Sequence, residues 1–566
     1  MPQLTVMAGG SAVVQCLREQ HVEDMFFLSG SCILPILDAL YDAADINCVG
    51  ARHEQNVVQM ADGYARVKQK PGVSLVHNGP GLTNTITGVA AAHLAFSPLV
   101  VLSGAPMTQH VNRGSIQEVD QVPLMKPVTK WSARVPRIES IPPTIRQAFR
   151  AATSGRKGPV HVDLPRDCLI EKLDYEPQTE STATSTASGA CGNPILVKTA
   201  TNLLLNAAKP LIIAGGGVLW ANATSTVIQL AETLTAPMAT SYGHGDAVPS
   251  DHPLSVGQLG RDGSKAARKM ASEADVILAL GTRLAHFTSY YSREYIPLHA
   301  RIIQVEIEAS EIGKNFPVTV GIHGDAAAVA RQILDEVSTR KGGVLQRDAV
   351  RLERILAAKE EWRQQRSDMD SDSVPLKPQR VYKEIRAAAP RSAIVVLDDG
   401  ACCSFGHHLL DFFEPRTFLS PLDLACIGWA YPAALGAKTA TPDRSVVAIC
   451  GDGGFSMSLV ELATAVQHNI PIVAVVMNNN CWGAEKAYQK YYFNNRYMGS
   501  DLRNPDFAEV ARNFGATGFK VEKPGELKSA LQEAFKLAVP SLVEVLVDPE
   551  ELPPPARTDA MPTGRA

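Results

Sequence analysis

The residues best suited to chemistry in this chain lie in Ile449-Cys450-Gly451-Asp452-Gly453-Gly454 and in Asn478-Asn479, the second Asn standing 27 positions after Asp452. Together they spell a site for a divalent metal and a diphosphate. The apolar run 446–450 is typical of a buried strand, and Gly451, Gly453 and Gly454 let a phosphate lie close to the backbone. Asp452 offers the hard anionic oxygen that Mg²⁺, Ca²⁺ or Mn²⁺ accepts. Helical spacing over 458–467 and a β-branched run over 471–477 predict strand–helix–strand, which returns Asn479 to the side of Asp452 at the carboxyl edge of a parallel sheet. The Asn479 amide oxygen and the Cys481 main-chain carbonyl extend the coordination sphere and leave places for diphosphate oxygens and water. The same letters also fit a glycine-rich turn and an Asn-rich loop that hold nothing.

Two further groups stand near predicted strand ends. Glu54 follows the apolar Cys48-Val49-Gly50 and precedes a helix carrying Met60 to Arg66, so its carboxylate faces a sheet edge; a simple helix cap is the competing reading. His77-Asn78-Gly79-Pro80-Gly81-Leu82-Thr83-Asn84 follows a strand and opens a helix, a turn on which a ligand can lie.

Positioning these groups takes several sheets. The chain has 566 residues, 45% hydrophobic and 20% charged, which suits about three domains, and its net charge of −4 argues against a nucleic-acid partner. No run of 18 apolar residues occurs and residues 1–10 lack a signal-peptide pattern, so no membrane partner is expected and the expected place is cytoplasmic. The ten cysteines lack metal-ligand spacing and read as buried thiols. Low-complexity stretches at 176–193 and 340–378 cut the chain into expected domains 1–180, 190–345 and 375–550, and the Pro-rich tail 552–566 reads as loose. In each block β-branched runs alternate with helical segments, which predicts an α/β fold of three open parallel-sheet domains.

Gly-Asp-Gly followed at this distance by Asn-Asn resembles the signature of thiamine diphosphate (ThDP) enzymes. The resemblance implies ThDP with Mg²⁺ as cofactors, an N-terminal pyrimidine-binding, a central and a C-terminal diphosphate-binding domain, and several residue roles. Glu54 takes the place of the glutamate that hydrogen-bonds the aminopyrimidine and so promotes loss of the thiazolium C2 proton. Gly79 belongs to the Gly-Pro-Gly-x-Thr-Asn turn lining the pyrimidine pocket, with His77 within reach of substrate. Gln117 in Gln117-Glu118-Val119-Asp120-Gln121 matches an active-site glutamine whose amide contacts the reacting oxygen. Ile427 in Cys426-Ile427-Gly428-Trp429 takes the place of the aliphatic wedge that bends the cofactor. The usual Gly-Gln-His at the start of the third domain is replaced by Gly400-Ala401-Cys402, so backbone amides around Gly400 and Cys402, with Gly453 and Gly454, are left to hold the phosphates.

Residues 4–548 resemble the acetohydroxyacid synthase branch. Gly30-Ser31-Cys32, Asn78-Gly79-Pro80-Gly81 and, above all, Trp482-Gly483-Ala484-Glu485-Lys486 look like the sulfoacetaldehyde acetyltransferases within it. That likeness implies conversion of sulfoacetaldehyde and phosphate to acetyl phosphate and sulfite, with the acetyl group carried on the cofactor. Arg113, Lys486 and Arg261 are the candidates for the sulfonate and phosphate, and Trp482 is a further candidate for contact with substrate. One alternative is an acetolactate-synthase-like 2-oxo acid decarboxylase or carboligase, with FAD held by Gly215-Gly216-Gly217 and residues 260–263. Another is a non-catalytic ThDP-fold scaffold, against which Glu54, Asp452 and Asn479 speak. In this superfamily the cofactor spans the first domain of one subunit and the third of its partner, which implies a homodimer or homotetramer. The aromatic segment 485–500 reads as a lid, a subunit contact or core.

Overall fold

The structure, a computed structural model, describes residues 5–177, 189–340 and 348–554. Most of the linker-like stretch 176–193, residues 341–347 and nearly all of the tail 552–566 therefore lie outside the described residues.

Three six-stranded sheets form the frame, every pairing within them parallel. The N-terminal sheet comprises β1 (Asp24–Phe27), β2 (Asn47–Gly50), β3 (Gly72–Val76), β4 (Leu99–Ala105), β5 (Trp131–Arg134) and β6 (Val160–Pro165), in the order β2-β1-β3-β4-β6-β5. The central sheet comprises β7 (Pro210–Ala214), β8 (Met238–Thr240), β9 (Ser255–Gln258), β10 (Val276–Leu280), β11 (Arg301–Glu306) and β12 (Val320–His323), in the order β9-β8-β7-β10-β11-β12. That is the doubly wound order in which ligands meet the carboxyl ends at the point of reversal. The C-terminal sheet comprises β13 (Ile394–Leu397), β14 (Phe418–Leu419), β15 (Val446–Gly451), β16 (Val473–Asn478), β17 (Thr517–Val521) and β18 (Ser541–Leu546). Its order, β14-β13-β15-β16-β18-β17, repeats that of the N-terminal sheet strand for strand.

Buried on both faces, β3, β7, β10 and β13 are near-continuous apolar runs, as parallel strands under two helical layers must be. Helices of the frame include α1 (Glu54–Lys68), α2 (Gln121–Met125), α3 (Gly216–Trp220), α4 (Ala349–Ser367), α5 (Ala401–Leu409), α6 (Ala430–Ala440), α7 (Asp452–Ser458) and α8 (Gly483–Tyr492). Long and mostly polar, α4 buries only Ile355, Ala358 and Trp362, one face at helical spacing.

The N- and C-terminal sheets meet through α1 and α6. Their backbones approach so closely that a Cβ on Gly63 would lie 2.0 Å from the Ala433 oxygen, and one on Gly436 1.8 Å from the Met60 oxygen. A buried ion pair joins Asp62 and Arg66; Trp429 donates its indole N–H to Asp62 at 3.1 Å and Arg66 donates to the Ser420 carbonyl at 2.6 Å. Among the described residues no helix is long and apolar enough to cross a membrane. The cysteines are free, and most are buried as expected; Cys191 is exposed, because it stands in an irregular stretch just before the helix at Pro194–Leu205.

Candidate active site

A cavity of about 440 Å³ opens at the carboxyl end of the C-terminal sheet, between the ends of β13 and β15 where the strand order reverses. Gly400, Cys402, Ile427, residues 451–454, Asn479, Cys481 and Trp482 line it. Pairing of Gly451 with Met477 sets β15 and β16 level, so Asp452 and Asn479 emerge side by side, as the strand–helix–strand pattern predicts. The helix begins at Asp452 itself, earlier than expected, and breaks into a 3₁₀ turn at Leu459–Glu461.

Asp452 is buried. Its Oδ1 accepts the Gly453 N–H at 3.0 Å and its Oδ2 the Asn504 amide at 2.6 Å; burial pushes its carboxyl up to about 6, against these hydrogen bonds. Asn504 also donates to Asn478 at 3.0 Å. Of the Asn pair, Asn478 is buried and donates to Glu544 at 2.7 Å, whereas Asn479 faces the cavity with its Oδ1 on the Cys481 N–H at 3.2 Å. Among the described residues no group of three or more His, Cys, Asp or Glu side chains is gathered to hold a metal, so a cation here draws the rest of its oxygens from amide, carbonyl, ligand and water.

The four glycines divide. A Cβ on Gly400 or Gly451 would meet nothing within 4 Å, which puts both against open cavity. One on Gly453 would lie 2.4 Å from the Trp482 ring, and one on Gly454 2.3 Å from an Asp398 oxygen. Gly400 (φ +102°) is the N-cap of α5, whose first amides and dipole face the cavity and suit a diphosphate in place of the missing side-chain donors. Cys402 turns its thiol to the Asp398 and Asp399 carbonyls at 3.6 and 3.3 Å, and burial holds that thiol well above its ordinary range.

Asp398 has no spacing signal in the sequence. Fully buried, it accepts the N–H groups of Gly428, Trp429 and Ala430 at 2.9, 3.0 and 3.3 Å, pinning the loop that presents Ile427; burial pushes its carboxyl up to about 7.

The second cluster sits at the carboxyl end of the N-terminal sheet. Glu54 is the first residue of α1, half-buried, and accepts the Asn84 amide at 2.9 Å. The Cys32 N–H donates to His77 Nδ1 at 3.3 Å, so Nε2 carries the proton and donates to Gln117 Oε1 at 2.7 Å. That leaves the Gln117 –NH₂ for a ligand. Gln117 adopts φ +58°, and Asn78 donates to its carbonyl at 3.2 Å. Gly79, also at φ +58°, lies so close that a Cβ would stand 2.4 Å from that carbonyl. Arg113 is exposed on the same loop.

Glu461 is a second residue that sequence reasoning passes over. Fully buried at the 3₁₀ break, its carboxylate accepts the Arg52 and His53 N–H groups at 3.1 and 3.2 Å, the Asn56 amide at 2.8 Å and the Thr464 hydroxyl at 2.5 Å. The C-terminal half of the chain thus fixes the turn that leads into Glu54.

Not every candidate is brought together. None of Glu54, Gly79 or Gln117 lines the cavity around Asp452. Lys486 is buried under ion pairs to Asp501 and Glu550, both at 3.5 Å, and does not line it either. Arg261 stacks on Phe287 at 5.0 Å. In the segment 485–500, Tyr491 and Phe493 are exposed by 52% and 45%. Gly216 and Gly217, at the start of α3, line a smaller cavity of about 140 Å³ with Glu306 and Arg283; residues 260–263 do not. There Arg283 pairs with Asp423 at 2.7 Å and stacks on Phe96 at 4.4 Å.

Comparison with known proteins agrees with this geometry. Residues 7–124, 197–333 and 398–545 match the N-terminal TPP binding, central and C-terminal TPP binding domains of thiamine pyrophosphate enzymes. The chain is 34% identical to a probable acetolactate synthase large subunit of Methanocaldococcus jannaschii, over 97% of this chain and 93% of that protein. It is 34% identical to the sulfoacetaldehyde acetyltransferase of Alcaligenes xylosoxydans xylosoxydans, over 98% and 95%. Against the acetolactate synthase large subunit of Haemophilus influenzae identity is 35%, over 94% and 92%. The chain belongs to the thiamine pyrophosphate enzymes and is a ThDP-dependent enzyme.

Proposed function

We propose that this enzyme converts sulfoacetaldehyde and phosphate to acetyl phosphate and sulfite. The observation that carries the reading is the cavity wall after Asn479: Trp482 lies over Gly453, and Gly483, Ala484 and Glu485 continue the rim, the segment most like the sulfoacetaldehyde acetyltransferases. When bound, ThDP supplies an electron sink for a carbanion next to the former carbonyl. The protein's own groups do the rest.

Asp452, the Asn479 amide oxygen and the Cys481 carbonyl hold Mg²⁺, or Ca²⁺ or Mn²⁺, with the diphosphate on the first amides of α5 around Gly400 and Cys402. Open space at Gly400 and Gly451, and a buried carboxylate held only by neutral N–H donors, fit such a group. Ile427, pinned through Asp398, wedges the cofactor from one side. Glu54 hydrogen-bonds the pyrimidine side and moves the proton there, and Gln117 donates its free amide to the substrate oxygen, with His77 fixing its orientation. Arg113 supplies positive charge for the sulfonate or the phosphate. As the C–S bond breaks, sulfite leaves with the bonding pair, the former aldehyde carbon gives up its proton and the CH₂ carbon gains one; a phosphate oxygen then bonds the acetyl carbon while that carbon's bond to its carrier breaks and the pair returns to the carrier.

We also propose a homodimer as the working unit, in which Glu54 and Gln117 of one protomer face the Asp452 cavity of its partner. Separation of the two clusters within one chain and the exposure of Ile116 (85%) beside Gln117 and of Met498 (87%) near α8 support it. Turnover of sulfoacetaldehyde with ThDP, Mg²⁺ and phosphate, followed as sulfite and acetyl phosphate, tests the reaction. Acetolactate or CO₂ from pyruvate, without sulfite release, would instead place the enzyme with the acetolactate synthases, and flavin absorbance in the purified protein would show that FAD is bound.

A further inference from the structure

Behind the Gly79 turn lies a buried polar chain that the proposed chemistry does not use. Gln121, the first residue of α2, is fully buried four positions after Gln117. Its Oε1 accepts the Gly79 N–H at 2.8 Å. Its Nε2 donates to the Gly104 carbonyl at 2.9 Å, to Ser103 Oγ at 3.2 Å and to Asp163 Oδ1. The amide has one allowed orientation, because a backbone donor stands on one side and carbonyl and carboxylate acceptors on the other. Asp163 is anchored in turn: Arg134 donates to its Oδ2 at 2.6 Å and Ser103 to its Oδ1 at 3.2 Å. Buried His161 closes the network, with Ser103 at 2.8 Å and Ser132 at 2.9 Å from its two ring nitrogens. Adjacent strands β4, β5 and β6 supply these groups in register, Ser103 opposite Asp163 and Arg134 opposite Asp163.

From these contacts we infer that Gln121 is a positioning residue, whose side-chain amide ties the rigid Asp163–Arg134 anchor to Gly79 and thereby sets where the Gln117 amide stands. Gly79 and Gln117 touch backbone to backbone, and Asn78 holds the Gln117 carbonyl, so a shift of the Gly79 turn moves Gln117 directly. Glu54 also touches this turn, through Asn84 five residues after Gly79, but it keeps a second anchor through Glu461 in the C-terminal half of the chain. Loss of the Gln121 bond therefore impairs the step that needs Gln117 more than the step that needs Glu54. This rests on the proposed role of Gln117 in acyl transfer.

Gln121→Met keeps length and removes both halves of the link. In the holoenzyme, kcat falls by about tenfold to a hundredfold, the cost of misplacing a reacting group by about an ångström. Deuterium exchange at C2 of bound ThDP and ThDP affinity fall by less than kcat, and the Gly79 amide exchanges faster. Gln121→Glu keeps the acceptor for the Gly79 N–H and, with its carboxyl protonated, a donor for the Gly104 and Asp163 side, so it retains more kcat than Gln121→Met and loses that advantage as pH rises. A kcat for Gln121→Met at the wild-type value overturns the inference, as does a fall of C2 exchange and ThDP affinity as large as the fall of kcat. Amide exchange at Gly79 reads the link without any substrate, so a wild type inactive on both sulfoacetaldehyde and pyruvate would sink the proposed function alone, whereas an unchanged Gly79 exchange rate in Gln121→Met would sink the positioning role.

Discussion

The N- and C-terminal sheets share one strand order, and their equivalent loops carry different chemistry. After the second strand, one has Glu54 opening α1 and the other Ile427 just before α6; after the third, one has the Gly79 turn and the other Asp452 and Gly453; after the fourth, one has Gln117 and the other Asn479. The C-terminal copy surrounds a cavity with glycines, helix-start amides and one buried carboxylate, the means to hold a phosphate and a cation. Its N-terminal counterpart presents a half-buried carboxylate and an oriented amide on a more open face. A single scaffold thus yields one half suited to binding and one suited to proton movement and orientation, and separate variants can break each.

The largest effect is expected at the N-terminal half. Glu54→Gln lowers C2 proton exchange of bound ThDP and turnover by about 10²–10⁴-fold while ThDP is retained, which exchange NMR and a binding titration check together. Binding falls next. Asn504→Ala removes the partner that orients Asp452 and weakens Mg²⁺ affinity by about 10–100-fold, measured by calorimetry with ThDP present. A pH dependence goes with it: burial raises Asp452 to about 6 in the cation-free fold, above its unfolded value of about 4. The cation-free fold therefore loses stability from this group as pH rises through that interval, whereas a bound cation favours the carboxylate. The gain in Tm on adding Mg²⁺ and ThDP is accordingly larger at about pH 7.5 than at about pH 5.5.

Glu461→Ala probes the seam between the halves. It strands the Arg52 and His53 N–H groups and the Asn56 amide, costs about 1–3 kcal/mol in a denaturant titration, and slows C2 exchange by loosening Glu54. The smallest effect is expected at Lys486→Ala: its partners Asp501 and Glu550 are 72% and 59% exposed, so stability changes by less than about 1 kcal/mol and kcat stays near wild type.

What the sequence revealed follows the same division. The side-by-side placement of Asp452 and Asn479 was legible because a strand–helix–strand unit fixes their meeting through local spacing, and the place of Glu54 at a helix start because such a start leaves its mark in the chain. Asp398, Glu461, Asn504 and Gln121 were not. Each acts across packed elements, as when Glu461 caps a turn 409 positions away, and no local period encodes such a pairing. The 3₁₀ break at Leu459–Glu461 escaped for a related reason, since helical spacing continues through it and only the long-range hydrogen bonds of Glu461 accompany the break. Lys486 looked like a ligand cation by type; its burial beside Asp501 and Glu550 is a tertiary fact. The shared strand order of the two sheets is likewise absent from the spacing of the letters.

The proposal that two chains complete one site is tested most directly by mixing two inactive variants, Glu54→Gln and Asp452→Ala, unfolding and refolding them together, and measuring C2 proton exchange of added ThDP. In a symmetric dimer with the site shared between protomers, each mixed pair regains one intact site of two, and the mixture recovers about a quarter of wild-type exchange. No recovery, with mixed dimers shown to form, would mean that each chain builds its site alone and would contradict the account.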